Sequence, residues 1–528
     1  MGETEVVLIG LLVAVAGLGA LAQRIAVPYP IVLVVGGALL GFVPGLPEIV
    51  LDPDMVLVLF LPPLLYKAAI YANIGDFRAN VRGLLFSTVA LVLVTMCVVA
   101  WVAHALIPDL PWSAAFVLGA IVSPTDAVAA ATVMRRLDVP RRLLSAIEGE
   151  GLFNDATALV AYRVAVAAVV AGSFSLVDAG GEFVLGAVGG VTIGLAVGFV
   201  AALIRRYVTD PQLSVTISLL TGYAAFVPAD AVEASGVLAV VTAGLYMGIR
   251  APQILPESQT RLQGYFVWDL LDFLINALLF VLIGLQLRTV VDELSGYSVG
   301  ALVGYGIAVA GAVVLVRLVW FFTVPYLIRA IDRRPSQRAR RVDARWRLVM
   351  AWSGMRGAVS LAVALSLPLA VEQGDAFPHR DLLIFLTFTV IFMTLVVQGL
   401  TLSPLIRVLG VSDGGADSEE EVRGRLSAAQ AALAEIDRLA EERWTRDDSV
   451  ERMRAMYAYR EARFAARAGA IEDEGYEERS AAYQQMVRRV LAAQRAALLR
   501  LRHEGELSNE AMNRILRDLD LEETRLDR

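Results

Sequence analysis

Apolar blocks of about 17–25 residues recur along the first 410 or so positions of this 528-residue chain, separated by short polar loops. An α-helix rising about 1.5 Å per residue needs a block of that length to cross a hydrocarbon core. Lipid offers no hydrogen bonds, so a spanning segment must satisfy its backbone as a helix or within a closed barrel. The alternation of apolar and polar positions that marks barrel strands is missing, so helices are expected. A hydrophobic content of 57% agrees with a polytopic membrane protein. The first block, about residues 5–22, has no basic flank and reads as a retained helix rather than a cleaved signal. Composition excludes several function classes. One cysteine, Cys97, rules out an internal disulfide, and His104, His379 and His503 lack metal-ligand spacing. No Gly-rich phosphate loop is present, which argues against an ATP-driven pump. The net charge of -7 is modest and indicates no particular partner.

Length and hydropathy give about 13 spanning segments, near 5–22, 28–44, 54–72, 83–106, 112–133, 144–172, 183–206, 212–228, 233–249, 265–288, 298–329, 347–371 and 380–409. Alternate loops hold about 19 basic residues, including Arg135, Arg136, Arg141, Arg142 and the dense 329–347 loop, against about 2 in the others. Positive charge stays on the cytoplasmic side, so the N-terminus is expected outside and the C-terminus inside. The boundary around Pro228–Gly236 is the weakest; merging its two short helices would break the charge alternation, so they are kept apart.

From about residue 411 the chain turns highly charged, with about 20 basic and about 26 acidic residues and no spanning run. Helical periodicity shows in Ala429–Leu439 and Val487–Leu501, and Ser412–Glu421 reads as a flexible linker. This tail, 411–528, is expected to be a cytoplasmic helical extension aiding folding or assembly; a regulatory domain that binds a regulator is the alternative. It contains no nucleic-acid motif.

Two segments are interrupted, the one near 112–133 by Pro124 and the one near 347–371 by Gly354 and Gly357. They run in opposite directions under the charge-derived topology, and both breaks sit beside ionisable residues. The expectation is two crossed broken helices within inverted repeats of six helices, joined by a linker helix.

Ionised groups cost roughly 2.5 kcal/mol or more at the middle of a spanning helix. Glu150 and Asp155, in Glu148-Gly-Glu-Gly-Leu-Phe-Asn-Asp155, and Asp126, in Ser123-Pro-Thr-Asp126, must therefore be neutralised, paired or used. Desolvation favours a protonated Asp155, whereas a bound cation favours its carboxylate, so the two compete for one group. A hard cation takes oxygen ligands, which Asp155, Asp126, the Thr125 carbonyl and water could supply. Asp126 is either such a ligand or a cap on the helix restarting after Pro124. Arg356 cannot deprotonate and needs an anion. Glu150 lies five residues before Asp155 on another face of the same helix, and Glu150–Arg356 is expected to be a structural ion pair. Asp269, Asp272 and Asn276 form a polar stripe, either a water-facing rim or an acidic cytoplasmic funnel that concentrates cations. Lys67 is expected to snorkel or to pair with an acid, without a part in transport.

These residues carry a resemblance. Leu61-Pro-Pro-Leu-Leu, Ser123-Pro-Thr-Asp-Ala-Val, Glu148-Gly-Glu-Gly-Leu-Phe-Asn-Asp-Ala-Thr-Ala-Leu-Val, Leu279-Phe-Val-Leu-Ile-Gly-Leu-Gln and Trp352-Ser-Gly-Met-Arg-Gly-Ala-Val-Ser-Leu occur in that order. In this set the chain resembles the monovalent cation:proton antiporter-1 family, the NhaP-like bacterial sodium/proton exchangers, over its whole membrane part. Arg502-His-Glu-Gly-Glu-Leu-Ser and Leu519-Asp-Leu-Glu-Glu look like a family tail.

The resemblance implies a homodimer in a cell inner (plasma) membrane. Dimerisation helices would be about 1–72 and 212–288, a moving core about 83–172 and 298–409, and a linker about 183–206. It implies elevator-like alternating access and electroneutral exchange of one cation for one proton, without a cofactor. Asp155 would carry ion and proton, with Asn154, Asp126 and Thr125 completing the site. Glu150 and Arg356 match the family's structural pair. Gly151 departs from the family's usual Ser and removes a hydroxyl ligand that a water would replace, leaving sodium, lithium and potassium open. The function expected is sodium/proton antiport. Potassium/proton antiport is the nearest alternative, and a non-transporting cation- or pH-sensing membrane protein is the alternative from another class.

Overall fold

The computed structural model describes residues 3–25, 27–43, 53–72, 74–135, 137, 139–170, 176–255, 258–294, 296–331, 343–371, 375–411, 416–471 and 475–526. These are helical apart from short connections and one isolated bridge between Ala370 and Ala376. They divide into two compact units, Met1–Ser412 and Asp413–Arg528.

The first unit begins with α1 (Glu3–Arg24), α2 (Tyr29–Gly41), α3 (Pro53–Ile70), α4 (Ile74–Leu106), α5 (Trp112–Val122) and α6 (Ala127–Met134). It continues with α7 (Arg141–Val170), α8 (Leu176–Tyr207), α9 (Pro211–Ala231), α10 (Gly236–Ile254), α11 (Ser258–Glu293) and α12 (Val299–Ile331). It ends with α13 (Ala344–Trp352), α14 (Ala358–Leu365), α15 (Arg380–Met393), a π-turn (Thr394–Gln398) and α16 (Gly399–Leu409). Among the described residues, nine helical stretches are long and apolar enough to cross a membrane. Three shorter apolar helices, Ile9–Arg24, Tyr29–Gly41 and Val58–Ile70, accompany them. Leu185, Phe199 and Tyr207 of α8 and Val299 and Leu315 of α12 are exposed, as a lipid-facing surface requires. Trp112–Met134 and Arg380–Leu409 are instead enclosed on most sides and form the centre of the unit.

The chain between α9 and α10 is a short turn in which Ser235 Oγ accepts the Leu238 N–H at 3.3 Å. The stretch around Pro228–Gly236 is therefore two helices, as the loop charges require. Both expected interruptions are present. Pro124 has no N–H for the ladder, so α5 stops at Val122. Asp126 then starts α6 as its N-cap, accepting the N–H groups of Val128 at 2.9 Å and Ala129 at 3.0 Å. The second interruption spans 353–357 between α13 and α14. The two breaks touch: the Asp126 N–H donates to the Met355 carbonyl at 2.7 Å.

The second unit contains α17 (Ala416–Leu439), α18 (Asp447–Arg467), α19 (Tyr476–His503) and α20 (Asn509–Leu526). Val422, Ala429 and Ile436 are buried at seven-residue spacing along α17, the seam of a helical hairpin with α18. Arg454 closes that hairpin on Asp437 at 2.6 Å, and Arg495 joins α19 to Asp520 of α20 at 2.6 Å. Of the expected linker Ser412–Glu421, residues 416–421 are the first turns of α17, because the seam begins at Val422. Residues 412–415 lie outside the described residues.

Since each unit holds its own contacts, residues 413–528 expressed alone should give a helical circular dichroism spectrum. A random-coil spectrum would contradict the division.

Candidate functional site

Four helix ends converge at the two breaks. The Arg356 N–H donates to Thr394 Oγ1 at 3.0 Å, at the first residue of the π-turn, so the backbone of the second break is pinned to the α15–α16 segment. The Arg356 guanidinium donates through Nε to the Val122 carbonyl at 2.9 Å, through Nη2 to Ser123 at 3.5 Å, and through Nη1 to Gly354. It thereby sits against the C-terminal carbonyls of α5, where the helix dipole concentrates negative charge.

This corrects the expected ion pair. The partner of Glu150 is Arg317 on α12, not Arg356: Nη1 donates to Oε1, and Nη2 donates to Oε2 at 3.0 Å. Arg317 Nε and Nη2 also reach the Met350 carbonyl of α13, at 3.2 and 3.1 Å. A planar fork matches a carboxylate edge to edge, which makes the bidentate pair the strongest available to Glu150. Arg356 finds its negative partners in backbone carbonyls, an outcome that side-chain bookkeeping overlooks. Arg317 was missed although it is the sole charged residue between Val299 and Ile328; the reasoning applied to Arg356 would have flagged it.

Two glycines of the second break make room for these charges. A Cβ on Gly354 would collide with the Arg317 side chain, and one on Gly357 with the Asp126 carboxyl.

Thr125, Asp126, Gly151 and Asp155 line one cavity of about 820 Å³, together with Ser360 of α14. Asn154 is buried and donates from Nδ2 to Thr125 Oγ1, which fixes α7 to the first break. Asp155 is half-buried and faces the cavity. Among the described residues, no side-chain hydrogen bond or ion pair engages its carboxyl. Glu150 is committed to Arg317 and Asp126 uses its Oδ1 to cap α6, so of these three acids Asp155 is the one with neither carboxyl oxygen engaged by a side chain or a cap among the described residues.

Gly151 has a steric reason here. A Cβ at this position would lie 2.7 Å from Ala127 Cβ, at the start of α6. The Asp269–Asp272 stripe lines the same cavity, and Lys67 of α3 bridges its two acids, with Nζ 3.1 Å from Asp269 Oδ1 and 2.9 Å from Asp272 Oδ2. Asn276 donates to Asp272 Oδ1 at 3.0 Å.

Comparison with known proteins adds four findings. Residues 10–408 match the family model described as sodium/hydrogen exchanger, transmembrane. Over 525 residues the chain is 35% identical to an uncharacterized Na+/H+ exchanger of Mycobacterium tuberculosis (strain H37Rv), covering 99% of this chain and 96% of that protein. It is 32% identical over 392 residues to the sodium, potassium, lithium and rubidium/H+ antiporter of Bacillus subtilis, covering 71% of this chain and 57% of that one. In fold it is similar to the sodium proton antiporter MjNhaP1 from Methanocaldococcus jannaschii, with a TM-score of 0.58 and 18% identity, covering 75% of this chain and 100% of that one.

Two stability measurements check the geometry. Arg317→Ala strands a buried carboxylate and is expected to cost about 3–5 kcal/mol. Adding Glu150→Ala should restore part of that loss in thermal denaturation, and additive losses would contradict the pair. Gly151→Ser should destabilise by about 1–3 kcal/mol through overpacking, and Ala127→Gly should relieve it. Equal stability of Gly151→Ser and the parent would remove the steric account.

Proposed function

This chain belongs to the sodium/hydrogen exchanger family, and we propose that it exchanges one monovalent cation, sodium first, for one proton in an electroneutral cycle. The observation that carries this reading is the Asp155 carboxyl, which faces the cavity without a side-chain partner among the described residues. One carboxylate that holds either a proton or a cation carries the same net charge in both loaded states, which is the physical basis of one-for-one exchange. Thr125 and Asp126 supply further oxygens at the broken helix, and Asn154 holds Thr125 in place. The cycle needs no resident cofactor.

The wider reading follows the sequence. Adding the three shorter apolar helices and the interrupted 344–365 stretch to the nine long spans supports thirteen crossings. Crossed broken helices in inverted repeats would carry the site between two faces by an elevator motion of a core, about 83–172 and 298–409, against dimerisation helices, about 1–72 and 212–288, in a homodimer. The basic loops support an external N-terminus and a cytoplasmic tail in a plasma membrane. Potassium/proton exchange is the second reading. It is favoured by the breadth of cations named for the Bacillus subtilis relative and by the missing hydroxyl at Gly151.

In proteoliposomes under a proton gradient, sodium, lithium or potassium should produce cation-dependent lumenal pH changes that Asp155→Asn abolishes. Wild-type rates in Asp155→Asn would refute the assignment. Competition also predicts an apparent KM for the cation that rises about tenfold for each unit by which the pH falls, in the range where the carboxyl is mainly protonated. A valinomycin clamp should leave the rate unchanged, and a steep dependence on membrane potential would contradict electroneutrality.

A further inference from the structure

Lys67, an ammonium already seated on two carboxylates, lines the cavity that Asp155 faces. Asp269 and Asp272 lie three residues apart on α11 and so share a helix face. Lys67 Nζ is 3.1 Å from one and 2.9 Å from the other. Asn276 is one turn further along and bonds the second oxygen of Asp272 at 3.0 Å. Lys67 and Asp272 are mostly buried, with 20% and 15% of their side chains exposed. Among the described residues the cavity's other cation is Arg135, which sits on Glu148 at 3.0 Å. Each cation thus cancels one carboxylate of the wall, and the Asp269–Asp272 pair keeps one net negative charge.

Without Lys67 the pair would present two carboxylates around one point. Calcium takes such oxygens at about 2.3–2.6 Å and magnesium at about 2.0–2.1 Å. A divalent ion is also drawn to the pair twice as strongly as a monovalent one. A bound divalent ion would block the path and hold against sodium.

We propose that Lys67 is a tethered counter-cation that keeps Asp269 and Asp272 from capturing divalent cations, and so makes the cavity selective for monovalent cargo. A divalent ion must first expel the ammonium, leaving it in the cavity wall without a counter-ion. Monovalent cargo has only to pass. The inference rests on the antiport reading for its consequence, but the charge arrangement at Lys67 can be tested without transport.

The test uses the full chain with Lys67→Gln, Lys67→Arg and the double variant Lys67→Gln/Asp272→Asn. Mn2+ binding to the detergent-purified proteins is followed by electron paramagnetic resonance. Lys67→Gln should bind Mn2+ with a Kd of about 10⁻⁴–10⁻³ M, a range typical of weak carboxylate sites. Wild type, Lys67→Arg and the double variant should not bind in that range. In proteoliposomes, Mg2+ at about ten times that Kd should slow sodium-driven proton movement by Lys67→Gln about tenfold. Excess sodium should relieve the inhibition, and Lys67→Arg should keep the wild-type response. A merely structural staple between α3 and α11 would lose stability without gaining Mn2+ affinity. Lys67→Met carries the same measurements if Lys67→Gln is not monodisperse. Mn2+ binding no tighter in either variant than in wild type overturns the proposal. A wild type that moves no protons with any cation overturns the antiport reading instead, while the Mn2+ measurement still decides the role of Lys67.

Discussion

The buried pair between Glu150 and Arg317 holds the site in place. Each ion would cost several kcal/mol to bury alone, and only a bidentate geometry with the remaining donors satisfied offsets that cost. Arg317 meets the condition by spanning the Glu150 carboxylate on α7 and the Met350 carbonyl of α13. It thereby fixes α7 against α12 and the second break. Asp155 lies five residues further along the same helix, so its position in the cavity follows from that clamp. One helix carries two acids with opposite fates, set by what reaches them.

The breaks work through backbone chemistry as much as through side chains. Each interrupted helix exposes carbonyls at one end and N–H groups at the other. Arg356 covers the carbonyl end of α5, while Asp126 caps the N–H end of α6. The bond from Asp126 N–H to Met355 ties these two solutions together, and Gly354 and Gly357 are small enough to admit Arg317 and Asp126. A carbon atom added at either glycine would push a charge out of place, so this local sequence is dictated by electrostatics rather than by helix propensity.

Much of this was legible in the sequence because lipid makes ionisable residues conspicuous. Asp126, Asp155 and Glu150 stood out on energetic grounds, and the helix interruptions at Pro124 and at Gly354–Gly357 could be read from residue type. Pairing could not be read. With Arg317 and Arg356 both inside apolar runs, sequence offers no distance by which to assign Glu150 to one of them. It also undercounts backbone carbonyls as partners, which is where Arg356 found its own. The Asp269–Asp272 stripe was visible, and Lys67 was expected to snorkel or to meet some acid. That they meet inside the cavity of Asp155 depends on α3 packing beside α11, a long-range contact with no local signal. Gly151 read as a lost ligand, whereas its close approach to Ala127 needed coordinates.

The central claim is that one carboxyl, Asp155, holds either a proton or a cation. The most direct measurement is proton release on cation binding by the purified protein in weakly buffered detergent, read with a pH indicator. The account predicts one proton released per cation bound, and none from Asp155→Asn. Cation binding without proton release, or release that persists in Asp155→Asn, would contradict it.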